Sequence, residues 1–322
     1  MSHLTREQRY TIASILQNGY NQKEIALVIK KDKSVVSREI RRNADARSGV
    51  YRDDLAHRKY LKRQEYKAKP RTFTPEVEEY VRDRLRLKHS PGQIAGVAKK
   101  NGDKCVSHER IYQFIWQDKR KKGTLYLDLR NRGRRYKKRS VIYDKRGIIP
   151  NRTDISQRPP EVELRERFGD LEIDLIIGKN HKGAILTIND RATGFGKLRK
   201  LDGKDAQQLA TATIDCLMEW KPFLKTITSD NGKEFAAHEL VAKHLNIDFF
   251  FAKPYASWQR GSNENFNRLV RQYIPKKVDF DCIPTDYINF VEYQLNNRPR
   301  KRFKYESPMF MFNQLFFIFL FF

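Results

Sequence analysis

Between residues 4 and 43 the apolar positions recur at helical spacing in three short runs, LTREQRYTIASILQNG, NQKEIALVIKK and KSVVSREIRRN. Gly19 stands where the first helix should stop, Asn21 is placed to cap the second, and Ser34 to cap the third. Ile25, Ala26 and Ile29 line one face of the second predicted helix, while the third combines Val35, Val36 and Ile40 with Arg38, Arg41 and Arg42. Three short helices with this spacing form either a small bundle or a helix-turn-helix, and the arginines of the third favour the latter.

A second helical set follows. TPEVEEYVRDRLRLK opens with a cap and a proline, SPGQIAGVAKKNG has its own cap, and VSHERIYQFIWQ completes residues 74 to 116. After about residue 165 the period changes. LEIDLIIG, GAILTIN and FGKLRK read as successive strands, followed by a helix over KDAQQLATATIDCLMEW, a strand at KTITSD, a helix at EFAAHELVAKHL, a strand at IDFFFA and a helix at SNENFNRLVRQY. An opening meander followed by alternating helices and strands predicts a mixed five-stranded sheet with helices on both faces, the ribonuclease-H-like order.

The expected organisation is therefore multidomain: a helix-turn-helix at 1–45, a linker at 46–72, a second helical, helix-turn-helix-like unit at 73–118, a basic linker at 119–164 and an α/β domain at 165–322. The span 119–139 holds eleven Lys or Arg and one Asp, too polar for a core and suited to tracking a polyanion. From Phe310 to Phe322 the chain is strongly apolar, but Asn313 and Gln314 interrupt it and it is too short to cross a bilayer, so a packed terminal helix or an altered C-terminus is expected.

Charge narrows the function. With 65 Lys plus Arg against 39 Asp plus Glu the formal charge is +26, spread along the chain instead of gathered in one amphipathic helix, which points to nucleic acid over a membrane surface. Cys105, Cys216 and Cys282 are far apart and form no Cys-x-x-Cys pair, so neither a disulfide framework nor a zinc site is expected. MSHLTREQRY lacks the apolar core of a signal peptide, and the expected location is cytoplasmic, with the nucleoid. In a helix-turn-helix the third helix enters the major groove, which makes Ser34, Ser37, Arg38, Arg41 and Arg42 candidate DNA contacts.

Three carboxylates carry the candidate chemistry. Asp174 lies within the first strand of the α/β region, Asp230 ends the strand TITSD just before Asn231 and Gly232, and Glu264 opens the helix SNENFNRLVRQY. Asp170 and Glu172 share the strand face of Asp174, so spacing alone leaves the first ligand open among them. Asp230 alone reads as a turn residue and Glu264 alone as an ordinary helix-start acid. Converging carboxylates need cations, and hard oxygen donors select Mg2+ or Mn2+, expected as two ions serving phosphoryl transfer. Arg268 and Arg271 follow Glu264 on its helix face and are candidates for DNA phosphates. Tyr255 and Trp258, and His181, His238 and His244, have no pattern that assigns them to the site.

GDLEIDLIIG, TSDNGKEFA, FFFAKPYASWQRGSNENFNRLVRQYIPK and LNNRPRKRFKYESP resemble the insertion sequence thirty family of bacterial transposases, in order and over nearly the whole chain. Leu171 stands where the family pattern has tryptophan and Gln259 where glutamate is usual. The resemblance implies a DDE triad of Asp174, Asp230 and Glu264 binding metal in a ribonuclease-H-like, retroviral-integrase-like core, and N-terminal helices that bind the terminal inverted repeats. It implies DNA cleavage and strand transfer on double-stranded DNA; because two element ends must be brought together, a homo-oligomer, dimer or larger, is expected. The competing readings are a helix-turn-helix regulator without catalysis and an inactivated transposase copy.

Overall fold

The computed structural model describes residues 3–66, 72–132, 149–254, 256–276 and 278–321; Tyr255 and the basic stretch from 133 on lie outside the described residues. The chain divides into two compact units, Met1–Arg71 and Thr72–Phe322.

The first unit is helical. α1 (Arg6–Gln17) starts in a reciprocal cap between Thr5 and Gln8, and α2 (Gln22–Val28) in one between Asn21 and Glu24. Gly19, at φ +82°, makes the left-handed turn between them. α3 (Lys33–Asn43) is capped by Asp32, whose carboxylate accepts from Ser34 N at 2.8 Å, and not by Ser34 as expected. Both residue types cap helices, and the choice between positions two apart is set by where the backbone turns. Residues 46–72, expected as a partly helical linker, hold α4 (Asp53–Tyr66). Tyr51 and Ala56 join Ile12, Ile25, Ile29 and Val36 in the core. The buried Arg9 ties α1 to α3 through Glu39 at 2.7 Å and lies 4.3 Å from the Tyr60 ring centroid on α4.

In the second unit α5 (Pro75–Arg86), α6 (Pro91–Asn101) and α7 (His108–Arg120) surround Val81, Leu85, Ile94, Ile111 and Ile115. Thr74 and Ser90 cap the first two, each followed by proline, as expected. Leu125, Tyr126 and Leu129 pack into this core and Ile149 into that of the sheet, so both described ends of the 119–164 span are built into the fold. A few apolar residues at each end suffice to anchor a span whose composition reads as a connector.

The sheet has six strands: β1 (Thr153–Asp154), β2 (Asp170–Ile177), β3 (Ala184–Asp190), β4 (Gly196–Leu201), β5 (Thr226–Ser229) and β6 (Asp248–Phe251), in the order β1-β6-β5-β2-β3-β4. β2, β3 and β4 pair antiparallel, whereas β2, β5, β6 and β1 pair parallel. The five predicted strands are present; the sixth, β1, is two residues long, too short to leave an alternation in the sequence. The one-turn α8 (Glu161–Leu164) leads into β2.

α9 (Ala206–Leu217) and α10 (His238–Leu245) cover one face over Leu171, Ile173, Leu186 and Ile188. α11 (Gly261–Tyr273) and α12 (Thr285–Asn296) cover the other over Ile176, Ile185 and Leu198. A meander followed by parallel strands, with the meander's first strand β2 central and helices on both faces, is the ribonuclease-H-like arrangement. The apolar tail forms α13 (Pro308–Phe321), and Phe312 packs on Phe168, Phe195 and Trp220 with centroids 4.6 to 5.4 Å apart. The helix expected for the tail is present, and its described side chains Met309, Phe312 and Leu315 pack on the core of the sheet.

Candidate active site

Alternation along β2 sends Leu171, Ile173 and Leu175 toward α9 and α10, and Asp170, Glu172 and Asp174 toward α11. The three acids meet different surroundings. Asp170 is buried, bonded to Arg167 at 2.7 and 3.2 Å and to the Thr226 hydroxyl at 2.8 Å. Glu172 is wholly buried: one oxygen accepts from Arg191 and the other from the Asn263 backbone amide, each at 2.8 Å. Asp174, with 24% of its side chain exposed, is the open one.

Asp174 is bordered by Asp230, which leaves the end of the neighbouring parallel strand β5 and accepts from Gly232 N at 2.9 Å. A single guanidinium spans the two: Arg260 lies 3.5 Å from Asp174 Oδ2 and 3.4 Å from Asp230 Oδ2. Asn267 on α11 donates to Asp174 Oδ2 at 2.9 Å, and the amide of Leu175 to Oδ1 at 2.8 Å. Burial pushes the Asp174 carboxyl up to about 6, with Asp230 adding to the effect and Arg260 opposing it.

Glu264 sits in the first turn of α11, as expected, but its carboxylate pairs with Arg268 one turn on. The structure thus brings Asp174 and Asp230 together and leaves Glu264 turned to its own helix. Among the described residues no three acids, histidines or cysteines lie close enough to hold a metal ion. The donor set nevertheless suits a hard cation, because two half-buried carboxylates face one position and Arg260 already supplies positive charge there.

The start of α11 is latched to the sheet. Besides the Glu172 contact, the Thr187 hydroxyl on β3 lies 3.2 Å from Asn263 Oδ1 and 3.1 Å from the Asp174 carbonyl. Behind Glu172, Arg191 reaches on to Glu163 at 2.8 Å, and Glu163 also pairs with Arg158. Arg260, Asn267 and Arg191 were not singled out from the sequence. Asn267 lies three residues after Glu264 on its helix, a spacing that marks it; Arg260 lies in a short turn of Ser257–Arg260, where no periodicity aims a side chain.

The remaining candidates separate by exposure. Ser34, Arg38, Arg41 and Arg42 are exposed on α3 and Ser37 is half-buried, with Arg38 folded back to the Ser34 carbonyl and hydroxyl at 2.9 and 3.0 Å. Arg268 is exposed. Arg271, expected to hold phosphate, instead donates to the Ile177 carbonyl at 2.9 Å and to Pro275 at 3.5 Å, because its half-buried position offers carbonyls at the end of β2. His238 is buried with its ring 3.4 Å from the Asn151 carbonyl, and His244 bonds Leu240 in its own helix, so neither faces the carboxylates.

A helical DNA-reading unit joined to a ribonuclease-H-like domain with two facing aspartates at a strand edge defines a DNA-processing class of protein. The model of a helix-turn-helix domain matches residues 1–43. The chain is 52% identical to the transposase for insertion sequence element IS4351 of Bacteroides fragilis, over 97% of this chain and 96% of that one. It is 32% identical to the transposase for IS1086 of Cupriavidus metallidurans (95% and 93% covered) and 30% identical to transposase InsI for IS30C of Escherichia coli K12 (96% and 82%). Among solved structures, the catalytic core domain of BIV integrase aligns with a TM-score of 0.37 at 19% identity, over 45% of this chain and 93% of that one. The chain belongs to the insertion sequence thirty (IS30) family of transposases. No helix among the described residues is long and apolar enough to cross a membrane.

Proposed function

We propose that this transposase binds the terminal inverted repeats of its element through α3 and cuts and rejoins DNA with Asp174, Asp230 and Glu264. The observation that carries the reading is the Arg260 guanidinium held 3.5 and 3.4 Å from Asp174 and Asp230, a cation position between two carboxylates at the open end of the sheet. α11 supports the third member, since the helix that carries Glu264 is tied to Asp174 by Asn267.

In this reading Asp174, Asp230 and, once released from Arg268, Glu264 hold Mg2+ or Mn2+, two ions being the natural complement of three carboxylates. The ions, when bound, supply activation of the attacking hydroxyl or water and stabilisation of the leaving oxygen. Asn267 and the Leu175 amide keep Asp174 oriented, and Arg260 offsets the charge of the pair. Arg268, freed by the same movement of Glu264, is placed to meet a phosphate of the bound DNA. Arg41 and Arg42, exposed in the last turn of α3, are suited to backbone contacts, and Ser34, Ser37 and Arg38 near its start to base edges.

Strand transfer of a labelled duplex ending in the element's inverted repeat, with Mg2+, tests this directly. The wild type is expected to give joined products, and Glu264→Gln to bind the duplex but join at least about a hundredfold less. Joined products at wild-type level from Glu264→Gln would remove that residue from the triad. Specific binding with no joining by the wild type would leave a regulator or an inactive copy.

A further inference from the structure

The segment after α12 carries Arg298, Arg300, Lys301 and Arg302 within five residues. With Arg130, which follows the short turn Leu125–Asp128, they line a cavity of about 390 Å³ whose opposite wall is the beginning of α11 at Ser262 and Asn265.

Three of these arginines, Arg130, Arg298 and Arg300, meet no carboxylate among the described residues. Arg298 is 2% exposed, and its guanidinium meets only uncharged acceptors: Gln93 at 3.2 Å, Gln272 at 2.8 Å and the Lys88 carbonyl. Arg300 donates to the Leu295 carbonyl at 3.0 Å, and Arg130 to the carbonyl and side-chain oxygen of Asn265 at 3.2 and 2.8 Å. Among the described residues none of the three forms an ion pair, and the nearby acids Asp128 and Glu306 are taken by Lys88 and Lys100. Burial and mutual repulsion lower Arg300 to about 9 and Arg298 to about 10. The Ser262 hydroxyl on the facing wall is buried without a hydrogen-bond partner.

Gathering guanidinium groups away from water without a counter-charge is unfavourable, and an oxyanion that accepts several hydrogen bonds is what relieves it. We propose that this cavity is a phosphate site that seats the DNA backbone against the start of α11, beside Glu264. It rests on the transposase reading for the identity of the anion, a DNA phosphodiester. Its place at the helix that carries Glu264 would fix the register of the strand relative to the carboxylates, a task that α3 contacts in the other unit do not perform for the reacting end.

The test uses the full-length chain without divalent metal, binding a short duplex of unrelated sequence followed by fluorescence anisotropy across a range of KCl. Arg300→Gln and Arg130→Gln are each expected to weaken binding about tenfold at low salt and to make the slope of log K against log[KCl] shallower by about 1. Arg300→Lys should keep the wild-type slope. Unchanged slopes in both Gln variants would overturn the site and leave these arginines as purely structural, and two variants are used because either may be disturbed in folding, which a melting curve reports. Since no cleavage is read, slope loss in the Gln variants together with a wild type that joins no DNA in the strand-transfer assay would sink the transfer reading while retaining the phosphate site.

Discussion

His89 shows how the arginine cluster acts on a single residue. It is 8% exposed, and burial, together with the charges of Arg298, Arg84 and Arg300, lowers its imidazole to about 4 from an ordinary 6.5. The folded state therefore favours the neutral ring, so the unfolded chain binds more protons between those two values. Stability from this group is complete above pH 6.5 and is lost as pH falls toward 4. The loss amounts to roughly 3 kcal/mol. Urea unfolding of the wild type and of His89→Gln at several pH values should show the wild type losing about that much more between pH 7 and 4. Parallel pH curves for the two proteins would show that His89 is not held neutral. Asp174 is displaced in the opposite direction, to about 6, by the same penalty on a buried charge.

At the scale of elements, α11 is the piece that the site depends on, and Glu172 is the contact that fixes its start. The carboxylate joins the Asn263 amide to Arg191, which is itself 1% exposed. Removing it takes one of two carboxylates from a buried guanidinium that keeps Glu163, and frees a helix-start amide, so Glu172→Ala should cost about 2–3 kcal/mol in urea unfolding. A cost under about 1 kcal/mol would mean that the network does not hold α11. The five main strands and the helices between them were legible because alternation, capping residues and turn residues agree over those segments. Asp174, Asp230 and Glu264 were legible as acids at a strand, a strand end and a helix start. The distinction among Asp170, Glu172 and Asp174 was not, since alternation gives all three the same face and only the partners Arg167, Thr226, Arg191 and Asn263 separate them. Arg260 escaped notice for a related reason: its bridge to two aspartates depends on where a short turn lies relative to two strands. Asp32 displaced Ser34 as a cap through backbone geometry that residue type does not encode.

At the scale of the whole molecule, a net charge of +26 gives each chain the means to hold DNA, while the candidate centre is the Asp174 and Asp230 pair bridged by Arg260. An inserted element has two ends, and coordinated joining of both to one target is served by two such centres acting together. Two copies related by symmetry supply them with one set of contacts, the commonest solution among soluble oligomers. The charge makes the same demand from the other side: strongly basic chains repel one another until DNA phosphates neutralise them, so assembly should follow DNA binding. Light scattering of the full-length chain with inverted-repeat duplexes is therefore expected to give a mass of at least two chains and two duplexes in the presence of divalent metal. A complex that holds one chain at every ratio of protein to DNA, while still joining ends, would show that a single centre serves both ends in turn.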